Sequence, residues 1–451
     1  MDFLKSNKYL LVLITPIFAS VFYAIKMPVS YDEAWTFLNF TNNGFFTSIT
    51  SYDDPNNHVL FSLITNITNY IPGLTNLFKI RLVPIVINIL FLLLLFRYSK
   101  VQFGSKTALI ILGLTSVLFL NIYYSYMARG YCIINLCFVI GLFSSINITK
   151  KNEINKNWIW FGISSFIGFA TIPAYLYPFV TLNFFIFVFN YKNIRKQFLA
   201  NLIVSANVLL FYLPIIYTNG FAALSNNTYV KPIGIYHTLG ALPRFYFQVL
   251  AEISGIHYTL VAIVLAISCF KIYKSNNQLL KKFYLIFIFA PFILLLIHGI
   301  IPYVRVFNYY GIVIILLIIL PLSEKINQFS EIKIISLTII LQLIMLFNFN
   351  NKINDYEEKD LAINITANKI IKQIIGNKRY LFNESLLATN LEFELVAHNF
   401  KNYKITEMNH QKMNADTIKN YDYAIIKIQN DATIKLPKFY KTEYYNVYKL
   451  K

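Results

Sequence analysis

Charge is what this sequence has least of: Asp, Glu, Lys and Arg supply 14% of 451 residues, against 57% hydrophobic residues. A soluble chain of this length needs more charge than that to cover its surface, so an ordinary soluble enzyme is excluded. Disorder is excluded too, because 41 Phe and 33 Tyr offer far too much buriable surface. Cysteine is almost absent. Cys132, Cys137 and Cys269 all lie in apolar runs, and the first two are spaced neither as a CxxC redox pair nor as a zinc knuckle, so cysteine chemistry is not expected. Acids are scarcer than bases, 21 against 40, for a net charge of +19. The bases are spread over short loops and a C-terminal tail rather than gathered into one stripe, so no nucleic-acid partner is expected.

Long apolar runs take the place of charge. A bilayer core about 30 Å thick takes roughly 20 apolar helical residues to cross. Eleven candidate runs precede Asn350, at 9–26, 80–97, 107–125, 131–149, 157–172, 174–190, 198–217, 256–273, 283–300, 305–322 and 332–349. Pro173 alone separates the fifth from the sixth, which leaves a re-entrant pair or one kinked span open. Positive residues of short loops stay in the cytoplasm. Placing the N-terminus inside puts seventeen bases there, Arg97, Lys100, Lys150 and Lys192 among them, and only Lys26, Lys79, Arg81, Arg129, Lys231, Arg244 and Arg305 outside. No small-residue cleavage site precedes Asp32, so the first run reads as an uncleaved span.

The expected fold is an all-α polytopic membrane bundle of about 11 transmembrane helices over residues 1–349, followed by a small soluble α/β domain over 350–451 on the outer side. That tail carries twelve of the twenty-one acids. A helix is expected near 356–375 and strands around 379–382, 402–406, 422–428 and 444–450, with Tyr421–Lys427 the clearest.

Residues 1–349 hold nine carboxylates, and Asp32, Glu33, Asp53 and Asp54 share the external loop 27–79. A solvated loop surface would explain them, but Asp32 and Glu33 follow the first span at once, beside Trp35. Partial desolvation at that interface would raise a carboxyl pKa toward usefulness as a base. After Asn56-Asn57-His58, apolar residues recur at helical spacing from Val59 to Ile71. Thirteen residues are too few to span, so an amphipathic helix lying in the interface is expected. Arg81 opens the second span, Arg129 lies in Ser125–Tyr131, Arg244 in loop 218–255, and Arg305 in Pro302–Tyr310. Arginines at span ends often merely snorkel to headgroups. With an external base, guanidinium groups at this depth also suit attack of a hydroxyl on a sugar whose leaving group is a lipid phosphate.

Asp32-Glu33 after the first span, Asn56-Asn57-His58 before an interfacial helix, Arg81-Leu82 opening the second span, and Tyr124-Ser125 through Arg129 to Tyr131 together resemble the GT-C membrane glycosyltransferases of family 39 type. That group includes protein O-mannosyltransferases and bacterial transferases that add aminoarabinose to lipid A, and the resemblance covers roughly residues 1–330. It implies a polyprenyl-phosphate-linked sugar donor, a protein, lipid or glycan acceptor met on the periplasmic face of a bacterial inner membrane, and inversion at the anomeric carbon. Asp32 takes the place of the family's catalytic acid, with Glu33 beside it. Asn57 and His58, with Asp54 in the same loop, are candidates for the acceptor side; they fall where the family often has His-Pro-Pro, and Val59-Leu60 replaces the prolines. Arg305, with Arg129, Arg81 and Arg244, is a candidate grip on the donor phosphate. Trp35, Tyr124, Tyr126 and Tyr131 are candidates for stacking on sugar, or for the ordinary aromatic belt.

A divalent metal is left open. His58, His237, His257 and His298 all map to the outer side, where Glu33 or Asp54 could join them, but none share an HxxxH spacing. A flippase or transporter is the alternative from another class, and a non-catalytic scaffold a third. Coupled transport usually places ionisable residues within spans, and no Asp, Glu, Lys or Arg lies near the middle of any of the eleven runs.

Overall fold

The structure is a computed structural model that describes residues 9–450 apart from 53–55, 151–153, 226–229, 374–377, 401, 409–419, 429–437 and 442–444. Each of the eleven expected runs lies mainly on helix. Seven helical stretches among the described residues are long and apolar enough to cross a membrane, or nine if each of two bent pairs is one span. The protein is therefore a multi-pass membrane protein. The count differs from eleven because Pro173–Asn219 covers two of the expected runs, the bent pairs hold two more, and the run 157–172, on the helix Ile154–Thr171, is not among the stretches counted. Pro173–Asn219 passes as one stretch of 47 residues, yet at 1.5 Å per residue it would reach about 70 Å, twice a bilayer core. A 3₁₀ turn at Tyr191–Asn193 divides it in two. The expected span 107–125 is a broken pair bent by 69° between Ser116 and Phe119.

Helix α1 (Tyr9–Lys26) leads to a six-residue α2 (Tyr31–Thr36), which runs into a π-turn at Phe37–Thr41. Helix α3 (Gly44–Thr50) and the loop after it precede α4 (Val59–Thr68), the expected amphipathic segment. Val59, Phe61 and Leu63 are buried on it while Ile67 is 71% exposed. Helix α5 (Asn76–Phe103) returns through the bundle. Helix α6 (Phe119–Tyr126) is the second arm of the 69° bend, and the turn after it feeds α7 (Tyr131–Thr149). The loop expected at 218–255 is largely helical, as α8 (Ile235–Ser254), and bends by 99° into the next helix, Tyr258–Lys274. Large apolar side chains on the long helices point outward, among them Phe198, Leu210, Ile263 and Phe347. A water-facing protein would not leave such a belt open, whereas a bilayer covers it.

The last long helix, α9 (Glu331–Tyr356), continues past residue 349 and hands over to α10 (Glu358–Gln373). Beyond it stands a five-stranded sheet in the order β2-β1-β3-β5-β4. Strand β1 (Arg379–Phe382) lies parallel to both β2 (Lys404–Glu407) and β3 (Tyr423–Lys427). Strand β5 (Tyr445–Lys449) runs antiparallel to β3 and to the short β4 (Tyr440–Lys441). Helix α11 (Ser385–Ala397) makes the crossover between β1 and β2. With α10 it covers one face of the sheet through Ile363, Ile370, Leu387 and Leu391. The opposite side of α11 faces the membrane half, where Phe393 meets Phe37 edge to face at 5.2 Å. The C-terminal unit therefore rests directly on the turn that follows α2.

Candidate active site

Ser30 and Glu33 start α2 with a reciprocal cap. The Ser30 hydroxyl accepts from the Glu33 N–H at 3.3 Å, and Glu33 Oε2 accepts from the Ser30 N–H at 3.0 Å. Glu33 is wholly buried and forms a two-pronged ion pair with Arg81, Nε to Oε1 at 2.8 Å and Nη2 to Oε2 at 2.6 Å. The remaining Arg81 hydrogens go to the carbonyls of Ala24, Met27 and Pro28. Glu33 Oε1 also accepts from the Ala128 N–H at 2.8 Å. One buried pair thus ties together the end of α1, the start of α2, the second crossing and the turn carrying Arg129. Because the pair is saturated with hydrogen bonds, the desolvation of two charges is offset.

Asp32, next in sequence but on another face of α2, turns into a cavity of about 740 Å³. Its carboxylate lies 3.1 Å from Arg305 and 3.8 Å from Arg129. Among the described residues, no other carboxylate lines this cavity. Burial pushes the Asp32 pKa up, but Arg129 and Arg305 outweigh it and hold the carboxyl below its ordinary value. That reverses the expected raised pKa: interface depth alone would desolvate the group, but two guanidiniums stand beside it.

His58 sits behind Arg129. Its Nδ1 accepts from the Gly130 N–H at 2.8 Å, and its Nε2 lies 3.1 Å from Arg129 Nη2. Burial, then Arg129 and Arg305, hold the His58 pKa well below its ordinary value, so the ring is neutral. With Nδ1 accepting, the single ring proton is assigned to Nε2, where it faces a second donor. Gly130 makes this approach possible: a Cβ there would stand 2.4 Å from Thr171 Cγ2 and 3.1 Å from His58 Nδ1. Asn56 accepts from Arg129 through both its backbone and its side-chain oxygen.

Several expectations need correction. Glu33 and Arg81 do not line the cavity; each occupies the other, so neither is placed to touch donor or acceptor. Asn57 is buried with its amide on the carbonyls of Ser48 and Ser51 and its oxygen on Ser62, which staples the loop instead of facing the cavity. Arg244 is exposed on α8 and outside the cavity wall. Asp54 lies outside the described residues. Asp32, His58, Arg129, Arg305, Trp35 and Tyr131 are brought together, while Tyr124 and Tyr126 are buried behind the wall. Tyr52 joins the wall unanticipated, and Asn56 joins it from the quoted Asn56-Asn57-His58 stretch, where the expectation falls on its two neighbours. Equally unforeseen are Glu357 and Asp360, three hundred residues away in sequence. Asp360 accepts from the Tyr31 N–H at 3.3 Å, and Glu357 accepts from Tyr123. Burial, then the neighbouring charge of Asp360, raises the Glu357 pKa.

Solved structures of low sequence identity share the fold. ArnT from Cupriavidus metallidurans in the apo state superposes with a TM-score of 0.56 at 10% identity, covering 97% of this chain and 96% of that one. The same transferase bound to undecaprenyl phosphate gives 0.50 at 11% identity, with 97% of each chain covered. An Archaeoglobus fulgidus oligosaccharyltransferase in complex with Zn and sulfate gives 0.57 at 13% identity, over 93% of this chain and 68% of that one. The chain has the GT-C fold. The sequence matches no protein-family profile and no curated protein.

In this GT-C frame a metal finds no ready set of ligands. Among the described residues no three His, Cys, Asp or Glu side chains gather. Of the four histidines, only His58 and His298 line the cavity. His58 already spends Nδ1 on Gly130, and the two arginines repel a second cation.

Removing one half of the buried ion pair should cost about 3–5 kcal/mol. Thermal unfolding of the detergent-solubilised chain should therefore show Glu33→Ala and Arg81→Met each melting well below wild type, and an unchanged midpoint in either would refute the pairing. Gly130→Ala should destabilise by about 1–3 kcal/mol through overpacking. Thr171→Ser removes the clashing methyl, so the double variant should recover part of that loss in the same measurement.

Proposed function

We propose that this protein is an integral-membrane glycosyltransferase that moves a sugar from a polyprenyl-phosphate donor to an acceptor hydroxyl on the periplasmic face of a bacterial inner membrane, inverting the anomeric centre. The observation that carries this reading is one carboxylate facing two guanidiniums in a cavity at the end of the bundle, Asp32 beside Arg129 and Arg305. Support comes from the fold, since ArnT has been solved with undecaprenyl phosphate bound. The orientation rests on the distribution of lysine and arginine, which puts the N-terminus in the cytoplasm and residues 350–451 outside.

In this mechanism Asp32 takes the proton of the acceptor hydroxyl as the new bond to the anomeric carbon forms. The bond from that carbon to the phosphate oxygen breaks, and the lipid phosphate leaves with its electron pair. Arg305 and Arg129 compensate its charge, which is worth most where little water competes. His58 adds a donor: its Nε2–H and Arg129 Nη2, donor against donor in the resting site, both find an acceptor when an anion lies between them.

The arginines give the site an order of events. In the resting state they face Asp32 and make it a poor base. A bound phosphate competes for the same guanidiniums, so the Asp32 carboxyl pKa rises once the donor is in place. Base strength is therefore greatest with the leaving group already held.

Asp32→Asn should abolish transfer while leaving expression and the melting midpoint unchanged, read by mass spectrometry as a sugar mass missing from envelope material; a flippase or scaffold would be indifferent to the change. The pH profile supplies a second check. A depressed carboxyl pKa keeps the base available down to low pH, and activity is lost as pH falls through it. The acid limb of kcat/KM for the donor, which reports the free enzyme, should lie below the ordinary carboxylate value of about 3.9. The acid limb of kcat should lie at higher pH, and coincident limbs would remove the proposed coupling.

A further inference from the structure

A second cavity, of about 380 Å³, opens where α2 and its π-turn meet α11 and β2 of the C-terminal unit. Trp35 lines both this groove and the cavity around Asp32. Trp35 lies three positions after Asp32 on one helix, so the two side chains neighbour each other on its surface. The groove therefore ends beside the base.

Its chemistry is the opposite of the main cavity's. Asn39, Asn42, Thr389, Glu392, Tyr403 and Glu407 form half of the wall, giving amide, hydroxyl and carboxylate groups with the rings of Trp35 and Tyr403 among them. The Tyr403 hydroxyl donates to Glu392 at 3.4 Å, and among the described residues no Lys, Arg or His lines the groove. In a chain with 40 bases and 21 acids, a groove whose described lining holds two carboxylates and no base forms an exception. Such a wall repels a phosphate and offers little apolar surface to an acyl chain or a hydrophobic peptide. It offers hydrogen bonds on several sides, and aromatic faces over which the C–H surface of a sugar ring can lie.

We propose that this groove is the acceptor site and that it takes a hydroxyl-rich carbohydrate chain, laid across Trp35 so that one hydroxyl enters the main cavity at Asp32. The assignment rests on the glycosyltransferase reading above and divides the work by charge. The cationic cavity takes the lipid phosphate, and the acidic, amide-lined groove takes the neutral or cationic glycan. It also gives the C-terminal unit a function, because α11 and β2 supply half of the groove.

The test uses the full-length chain expressed in cells lacking its own copy, with Asp32→Asn as reference. Asn42→Trp places a large side chain on an exposed groove position, and Tyr403→Ala removes one ring. Transfer is read as sugar mass on envelope material, and donor-site integrity as binding of undecaprenyl phosphate to each purified variant. At least a tenfold loss of transfer in both groove variants, with lipid binding within twofold of wild type and a protease-resistant, periodate-sensitive acceptor, is the expected result. Groove variants that transfer like wild type while Asp32→Asn is inactive would overturn the groove assignment and leave the glycosyltransferase reading standing. An active Asp32→Asn would overturn that reading itself. Loss of lipid binding in both groove variants, or an acceptor destroyed by protease, would equally refute a carbohydrate site separate from the donor's.

Discussion

Glu33 and Arg81 are both sealed from solvent, and an unpaired charge at either position would be strongly destabilising. The chain can close around them only in the geometry that satisfies both. Five hydrogen bonds from the guanidinium and four to the carboxylate fix how α1 ends, how α2 begins and where the turn at 127–130 lies. Asp32 is positioned as a consequence. It is one residue from a side chain that cannot move, on a helix whose first turn is capped from within. Arg129 follows by the same route, since the backbone N–H of its neighbour Ala128 donates to Glu33. A pair with no contact to the cavity thus determines the distance between the two groups that face each other in it.

The sparsity of charge makes those few groups strong. In a protein surrounded by apolar side chains and lipid, an ion pair is screened far less than at a watery surface. Asp32 therefore feels two guanidiniums more than it feels its own burial. His58 feels the same field from the other side and stays neutral. The resting site is a poised arrangement: a weak base, a neutral imidazole and two cations whose only anionic partner among the described residues of the cavity wall is Asp32. An incoming anion alters all of these at once, without any large movement of the backbone.

Much of this frame was legible in the sequence. The eleven apolar runs announced the helices, and the strand-like segments around 379–382, 402–406, 422–428 and 444–450 announced four of the five strands. The short β4, two residues long, left no pattern to read. The site was legible as a list and not as an arrangement. Asp32 and Glu33 are adjacent, and nothing in their order says which turns inward to Arg81 and which toward the cavity; on a helix neighbouring residues point about 100° apart. Arg81, Arg129, Arg244 and Arg305 look alike at span ends, yet their roles diverge because only tertiary packing decides which meets a carboxylate. Asn57 reads as a site residue by its neighbours and proves to be a staple for the loop that presents His58. Glu357 and Asp360 were invisible, since their closeness to Tyr31 and Tyr123 spans most of the chain.

That last contact bears on why the C-terminal unit belongs to the site at all. A soluble appendage on a flexible linker would gain nothing from burying carboxylates against the membrane half, because each costs desolvation energy. Here Asp360 is spent on the backbone of Tyr31, one residue before Asp32, and Phe393 is spent on Phe37 in the turn just after α2. Both contacts grip the two ends of the same six-residue helix. A helix that short has no stability of its own, so its orientation is set by what clamps it: the Glu33–Arg81 pair from beneath and the C-terminal unit from above. The base is therefore held jointly by two parts of the chain, and a ligand lying between those parts acts on the segment that carries Asp32.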